Sequence, residues 1–155
     1  MPDVLIVDDD PRVRALLQLS LLTSGYTVRE ARDGFEALLE VAQATPDVLV
    51  MDLSMPRIDG FDVLEALRDK GLTDDLRIVV HTSEDDPVSV ERAATLGIDE
   101  YFLKPIDPEV VVAAIGEHLI GDGEMDLLDD PIATVTALPR PRAGHATRTP
   151  DAAAL

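Results

Sequence analysis

One hundred and fifty-five residues, 46% apolar but only 3% aromatic, suit one domain with or without a tail and argue against two. With 31 acidic against 13 basic side chains the formal charge is −18, which excludes a generic nucleic-acid binder and disfavours an anionic membrane surface, since both reward clustered Lys and Arg. There is no cysteine, so disulfide scaffolds, thiolate zinc sites and cysteine nucleophiles fall away together. With no basic leader after Met1 and no apolar run near the roughly 18 residues that span a bilayer, the expectation is a cytoplasmic protein without membrane insertion.

Within residues 1–120, short β-branched runs alternate with longer stretches of helical period, the pattern of βαβ units around a parallel sheet. A strand over 4–7 leads to a helix over about 11–23, opened by Pro11 at a first-turn position. The following pairs are a strand at 26–30 with a helix at about 34–43, and a strand at 48–51 with a helix at about 60–70. A strand at 78–81 then precedes a helix at about 86–96, and a strand at 101–103 a helix at about 107–119. Three of these strands are near-continuous apolar runs, as expected where helices cover both faces. Gly25, Gly71 and Gly97 stand where helices should stop, and Asp10 and Asp59 read as helix N-caps. His81 reads as a satisfied packing residue on its strand, and His118 and His145 as isolated.

Composition changes near Gly121. All five aromatics (Tyr26, Phe35, Phe61, Tyr101, Phe102) lie before it, and Pro131, Pro139, Pro141 and Pro150 crowd the residues after it. The expectation is one domain over 1–120 and a disordered, Pro-rich acidic tail over 121–155 without a folded output domain, because the tail cannot bury enough apolar surface to offset chain entropy. Within the tail, the acidic-apolar stretch 124–130 is a candidate docking segment, with Pro139-Arg140-Pro141-Arg142 extending beyond it.

The acids carry the functional signal. Asp8 and Asp9 directly follow the first strand and Asp52 directly follows the third. In an open parallel sheet of order 2-1-3-4-5 the ligand crevice opens at the carboxyl ends between those two strands, so the three carboxylates converge. Grouped in a partly desolvated cleft they repel one another, which protonation or a cation relieves. An all-oxygen donor set suits a hard ion, best Mg²⁺ with Mn²⁺ as a substitute. The fourth strand ends in His81-Thr82-Ser83 and the fifth runs into Lys104-Pro105, adding a hydroxyl and an ammonium to the same edge. Carboxylates, cation, hydroxyl and lysine together make a phosphoryl site, with one aspartate as nucleophile.

The segments VLIVDDDP (4–11), VLVMDLSMPRIDG (48–60), VVHTSE (79–84) and EYFLKP (100–105), in this order and spacing, resemble a response-regulator receiver domain of two-component signalling, of the single-domain type similar to the chemotaxis response regulator. The resemblance covers about residues 3–119. It implies an α/β, flavodoxin-like, doubly wound five-stranded parallel sheet of order 2-1-3-4-5 with flanking helices. It also implies roles: Asp52 as phospho-acceptor, Asp8 and Asp9 as the acidic pair that holds Mg²⁺ with Asp52, and Ser54 as donor of a backbone carbonyl to the metal. Thr82 matches the switch hydroxyl, Lys104 the phosphoryl-binding lysine and Tyr101 the switch aromatic, with Thr82 and Tyr101 moving inward on phosphorylation. Ser54 and Glu84 occupy positions that tune phosphoryl lifetime.

By this resemblance the chain is a stand-alone, phospho-accepting switch rather than an enzyme, able at most to catalyse its own phosphorylation from small donors and its own dephosphorylation. Its partners are a sensor histidine kinase or histidine phosphotransfer protein and a downstream protein that reads the surface of the fourth helix, fifth strand and fifth helix. Phosphorylation-dependent homodimerisation is compatible with that surface, and nucleic acid is not expected. The alternative within the family is a relay intermediate that donates to a histidine phosphotransfer protein. The rival from another class is a Mg²⁺-dependent phosphohydrolase of the haloacid-dehalogenase type. It fits less well, because Asp8-Asp9-Asp10-Pro11 lacks the DxDx[TV] order of that family and no cap insertion is visible.

Overall fold

β-Branched apolar runs form strands because a pleated surface accommodates their stiff side chains, and the alternation with helices is realised throughout. The computed structural model describes residues 1–120 and 136–137. Its elements are β1 (Asp3–Val7), α1 (Pro11–Thr23), β2 (Thr27–Ala31), α2 (Gly34–Gln43), β3 (Val48–Met51), α3 (Gly60–Asp69), β4 (Arg77–Thr82), α4 (Pro87–Thr95), β5 (Glu100–Leu103), α5 (Pro108–Ile120) and β6 (Thr136–Ala137).

The sheet order is β2-β1-β3-β4-β5-β6. The first five strands run parallel in the expected order 2-1-3-4-5, and β6 adds an antiparallel strand at the β5 edge. That sixth strand lies in the stretch from which no structure was expected, although it falls within the β-branched run Ile132-Ala133-Thr134-Val135-Thr136-Ala137-Leu138, a strand signal outweighed in sequence by the prolines and charges around it. The rest of the expected tail, including 124–130 and 139–142, lies outside the described residues.

Period-2 alternation divides the core between the two faces. Leu5, Val7, Leu49, Met51, Ile78, Val80 and Tyr101 pack with Ala37, Val41, Leu64, Leu67 and Ala93 of α2, α3 and α4. On the other face Val4, Ile6, Val48, Val50, Val79 and Phe102 pack with Leu17, Leu21, Val111 and Ile115 of α1 and α5. Each fully buried aliphatic side chain stabilises the fold by roughly 1.5–3 kcal/mol relative to exposure, and β1, β3 and β4 are buried along almost their whole length.

Helix ends follow the sequence signals. Asp10, Asp33, Asp59 and Asp86 are the N-caps of α1 to α4, and Asp59 forms a reciprocal capping box with Asp62. Gly25, Gly71 and Gly97 take φ of 94°, 72° and 90° just past α1, α3 and α4, the left-handed region that side chains with a Cβ resist. No helix of the described residues is long and apolar enough to cross a membrane.

Candidate functional site

Strands β1 and β3 are neighbours, with Val7 opposite Met51, so the residues that follow them, Asp8 and Asp52, leave the sheet side by side. Asp8 is 2% exposed and Asp52 5%, and Asp9 turns outward beside them. Oxygens of all three carboxylates lie within 4.8 Å of one another. Burial pushes the Asp8 carboxyl above its ordinary value, against the opposing pull of Lys104 and the Asp10 amide, as expected where desolvation disfavours charge.

Lys104 comes from the end of β5, before a cis peptide bond to Pro105. Its Nζ donates to Asp8 Oδ2 at 2.8 Å and to Asp52 Oδ2 at 3.0 Å. Burial by itself drags the ammonium down, but the two carboxylates outweigh it and hold Lys104 above its ordinary value, so it stays charged. The remaining oxygens are held too: Asp8 Oδ1 accepts from the Asp10 amide and Asp52 Oδ1 from the Ser54 amide, each at 3.0 Å.

A second layer of contacts centres on Glu84. Ser54 Oγ donates to Glu84 Oε2 at 2.9 Å, the Tyr101 hydroxyl donates to Glu84 O at 2.6 Å, and the Glu84 amide donates to Thr82 Oγ1 at 3.3 Å. Thr82 is fully buried at the end of β4. Burial first, and then the acids around it, push the Tyr101 phenol up to about 12, so its hydroxyl remains a donor. The structure thus brings Asp8, Asp9, Asp52, Ser54, Thr82, Glu84, Tyr101 and Lys104 to one sheet edge. Tyr101 is fully buried there.

Other supporting residues were not singled out from sequence. Arg14 Nη1 donates to Asp8 O at 2.8 Å, fixing the loop that carries the acidic pair. A Cβ on Gly60 would sit 2.6 Å from Asp52 O and Leu53 Cα, so only glycine lets the start of α3 approach the backbone of Asp52. Gly60 as a first-turn residue read only as part of a cap. His118 is not isolated: its Nε2 lies 3.2 Å from Glu100 Oε2. His81 is buried as expected of a packing residue, but its Nδ1 lacks a hydrogen-bond partner among the described residues, so it is not a satisfied one. Burial, followed by the Lys104 charge, pushes its pKa down to about 4.

The donor chemistry suits a hard divalent cation: three carboxylates converge, two of them nearly buried, in a cleft whose only direct cationic partner among the described residues is Lys104.

Similarity to known proteins points the same way. The family described as response regulator receiver domain matches residues 4–116. The response regulator MprA of Mycobacterium ulcerans is 49% identical over 112 residues, which cover 71% of this chain and 47% of that protein. The chain therefore spans about half the length of this curated relative. Among solved structures, the chemotaxis response regulator CheY4 of Vibrio cholerae is 31% identical with a TM-score of 0.70, covering 75% of this chain and 97% of that one. A DNA-binding response regulator of the LuxR family from Staphylococcus aureus is 25% identical with a TM-score of 0.69, over 75% of this chain and 97% of that one.

Proposed function

This chain belongs to the response regulator receiver family of two-component signalling, and from that membership we propose that Asp52 is its phospho-acceptor. In this reading a histidine kinase presents phosphohistidine, an Asp52 carboxylate oxygen bonds to phosphorus, and the P–N bond breaks with its electron pair leaving on the imidazole. The observation that carries the proposal is the Lys104 ammonium within 3.0 Å of both Asp8 and Asp52 at the mouth of a three-carboxylate cleft.

Asp8, Asp9, Asp52 and the Ser54 backbone carbonyl would hold Mg²⁺, or Mn²⁺ in its place. Bound there, the cation supplies positive charge against the phosphoryl oxygens. Lys104 holds a phosphoryl oxygen by charge, Thr82 donates its hydroxyl to another, and Tyr101 occupies the space behind Thr82. The redistribution of contacts between the two states biases the surface of α4, β5 and α5, which a downstream protein or a second copy reads. A cytoplasmic location goes with this reading.

The curated relatives are about twice as long as the matched region, so the output of the whole protein is part of the proposal: contact with another protein. The excess of acids over bases argues against nucleic acid meeting this domain directly. A DNA-binding relative nevertheless limits that exclusion to the domain itself.

The test is intact-mass spectrometry after incubation with Mg²⁺ and acetyl phosphate, for the native chain and Asp52→Ala. One added phosphoryl group that is lost in the variant and in EDTA is the expected result, and an unmodified native chain overturns the assignment. Ser54 and Glu84, joined by a hydrogen bond above Asp52, are proposed to restrain attacking water. Ser54→Ala and Glu84→Ala should each change the dephosphorylation rate several-fold, and equal rates in native and variant chains would remove that role.

A further inference from the structure

Within the parallel part of the sheet β5 is an edge strand, and an open edge is a template for strands of other chains. The Asp99 amide donates to Ile78 O, toward β4. By the two-residue alternation of a strand, the N–H and C=O of Glu100 therefore face away from β4. Thr136 and Ala137 meet that side in antiparallel register, Ala137 opposite Glu100 and Thr136 opposite Tyr101.

Two further contacts and one unpartnered atom mark this edge. The Glu100 side chain is held by His118 at 3.2 Å, its other oxygen is buried with no hydrogen-bond partner among the described residues, and Tyr101 is anchored by its hydroxyl to Glu84 O. The His118 contact also brings the last turn of α5 against Glu100, the residue that pairs with Ala137. Only 15 residues separate Ile120 from Thr136, so the chain leaves α5 beside the edge to which it returns.

We propose that Thr136–Ala137 form a built-in guard of the β5 edge, added in cis as an antiparallel strand, and that this pairing denies the edge to an extended segment of a second copy of the chain. The tethered segment meets the edge at any protein concentration, whereas a second copy competes only as concentration rises, and the net charge of −18 adds repulsion between copies. Because β5 also belongs to the output surface proposed above, a partner that reads this strand by pairing must first displace the guard. The pairing itself stands independently of the phosphoryl reading.

The test uses the full chain with Ala137→Pro, which removes the N–H that donates to Glu100 O and thereby loosens the paired bond from the Glu100 N–H to Ala137 O, and Ala137→Val, which keeps both bonds and favours a strand. Amide exchange is followed by NMR, with the Tyr101 amide, directed toward β4, as internal control. Ala137→Pro should raise the Glu100 exchange rate about tenfold, the scale of one hydrogen bond, with Tyr101 unchanged and Ala137→Val native-like. By sedimentation velocity the Pro variant should gain a concentration-dependent dimer. An unchanged Glu100 rate in Ala137→Pro overturns the pairing. Protection that disappears on dilution of the native chain assigns the strand to a second copy and overturns the cis arrangement. A variant that exposes Glu100 yet stays monomeric overturns the guarding role.

Discussion

His81 stands between Val80 and Thr82 on β4, 6% exposed, with its pKa pushed down to about 4 chiefly by burial and then by Lys104. An unfolded histidine titrates near its ordinary value of about 6.5. Below that pH the unfolded chain takes up a proton that the folded chain refuses, so stability falls as pH drops from about 6.5 toward 4. Between pH near 7.5 and pH near 5 this one group should remove about 2 kcal/mol. Urea unfolding of native chain and His81→Leu in EDTA measures it: the loss on acidification should be about 2 kcal/mol smaller in the variant, and equal losses would contradict the burial argument. That His81 would pack was legible from its place in an apolar strand. That its Nδ1 would lack a partner was not, because it depends on what the neighbouring strand and α5 leave within reach. For the same reason His118 looked isolated: its partner Glu100 is 18 residues away in sequence and adjacent only once α5 lies on the sheet.

Among the helices, α4 is the least anchored by apolar burial. Only Ala93 is buried along it, and Val88 is 72% exposed. Beside the packing of Ala93, its hold on α3 comes from Arg92, whose guanidinium lies 4.2 Å over the Phe61 ring centroid and donates to Glu65 Oε2 at 2.9 Å. A cation–π contact at an exposed site and a half-exposed ion pair together contribute about 1 kcal/mol. Arg92→Ala should therefore lower global stability by about 1 kcal/mol and speed amide exchange in α4 while leaving β4 protected. Unchanged α4 exchange would show that the helix is held elsewhere. The element boundaries themselves were readable to within a residue or two, because proline, aspartate caps and terminal glycines mark them chemically. The weakness of α4 was not, since periodicity reports which face is apolar but not how much of it finds a partner.

At the scale of the molecule, folding gathers like charges at one edge, and a bound cation should oppose their repulsion. Mg²⁺ that binds the folded chain and not the unfolded one stabilises it by mass action, about 2.7 kcal/mol at a hundredfold excess over Kd. Thermal unfolding should shift upward with Mg²⁺ in the native chain. In Asp9→Asn, whose carboxylate is the exposed member of the three, the shift should be largely lost while the midpoint in EDTA stays close to native. Equal Mg²⁺ shifts in both chains would place the cation elsewhere.

The sequence by itself determined the α/β alternation, the five parallel strands and the convergence of Asp8, Asp9 and Asp52. These follow from local periodicity and from the rule that acids placed directly after parallel strands line the crevice at the carboxyl ends. Tertiary structure alone decided the links between distant segments: Lys104 spanning Asp8 and Asp52, Glu84 collecting Ser54 and Tyr101, Gly60 fitting beneath Asp52, and Thr136–Ala137 returning to β5. Their physical reason is common. A hydrogen bond or a close approach needs ångström-scale placement of groups that are separated in sequence by anything from 8 residues (Gly60 and Asp52) to 96 (Lys104 and Asp8), and only the packed sheet and helices supply that placement.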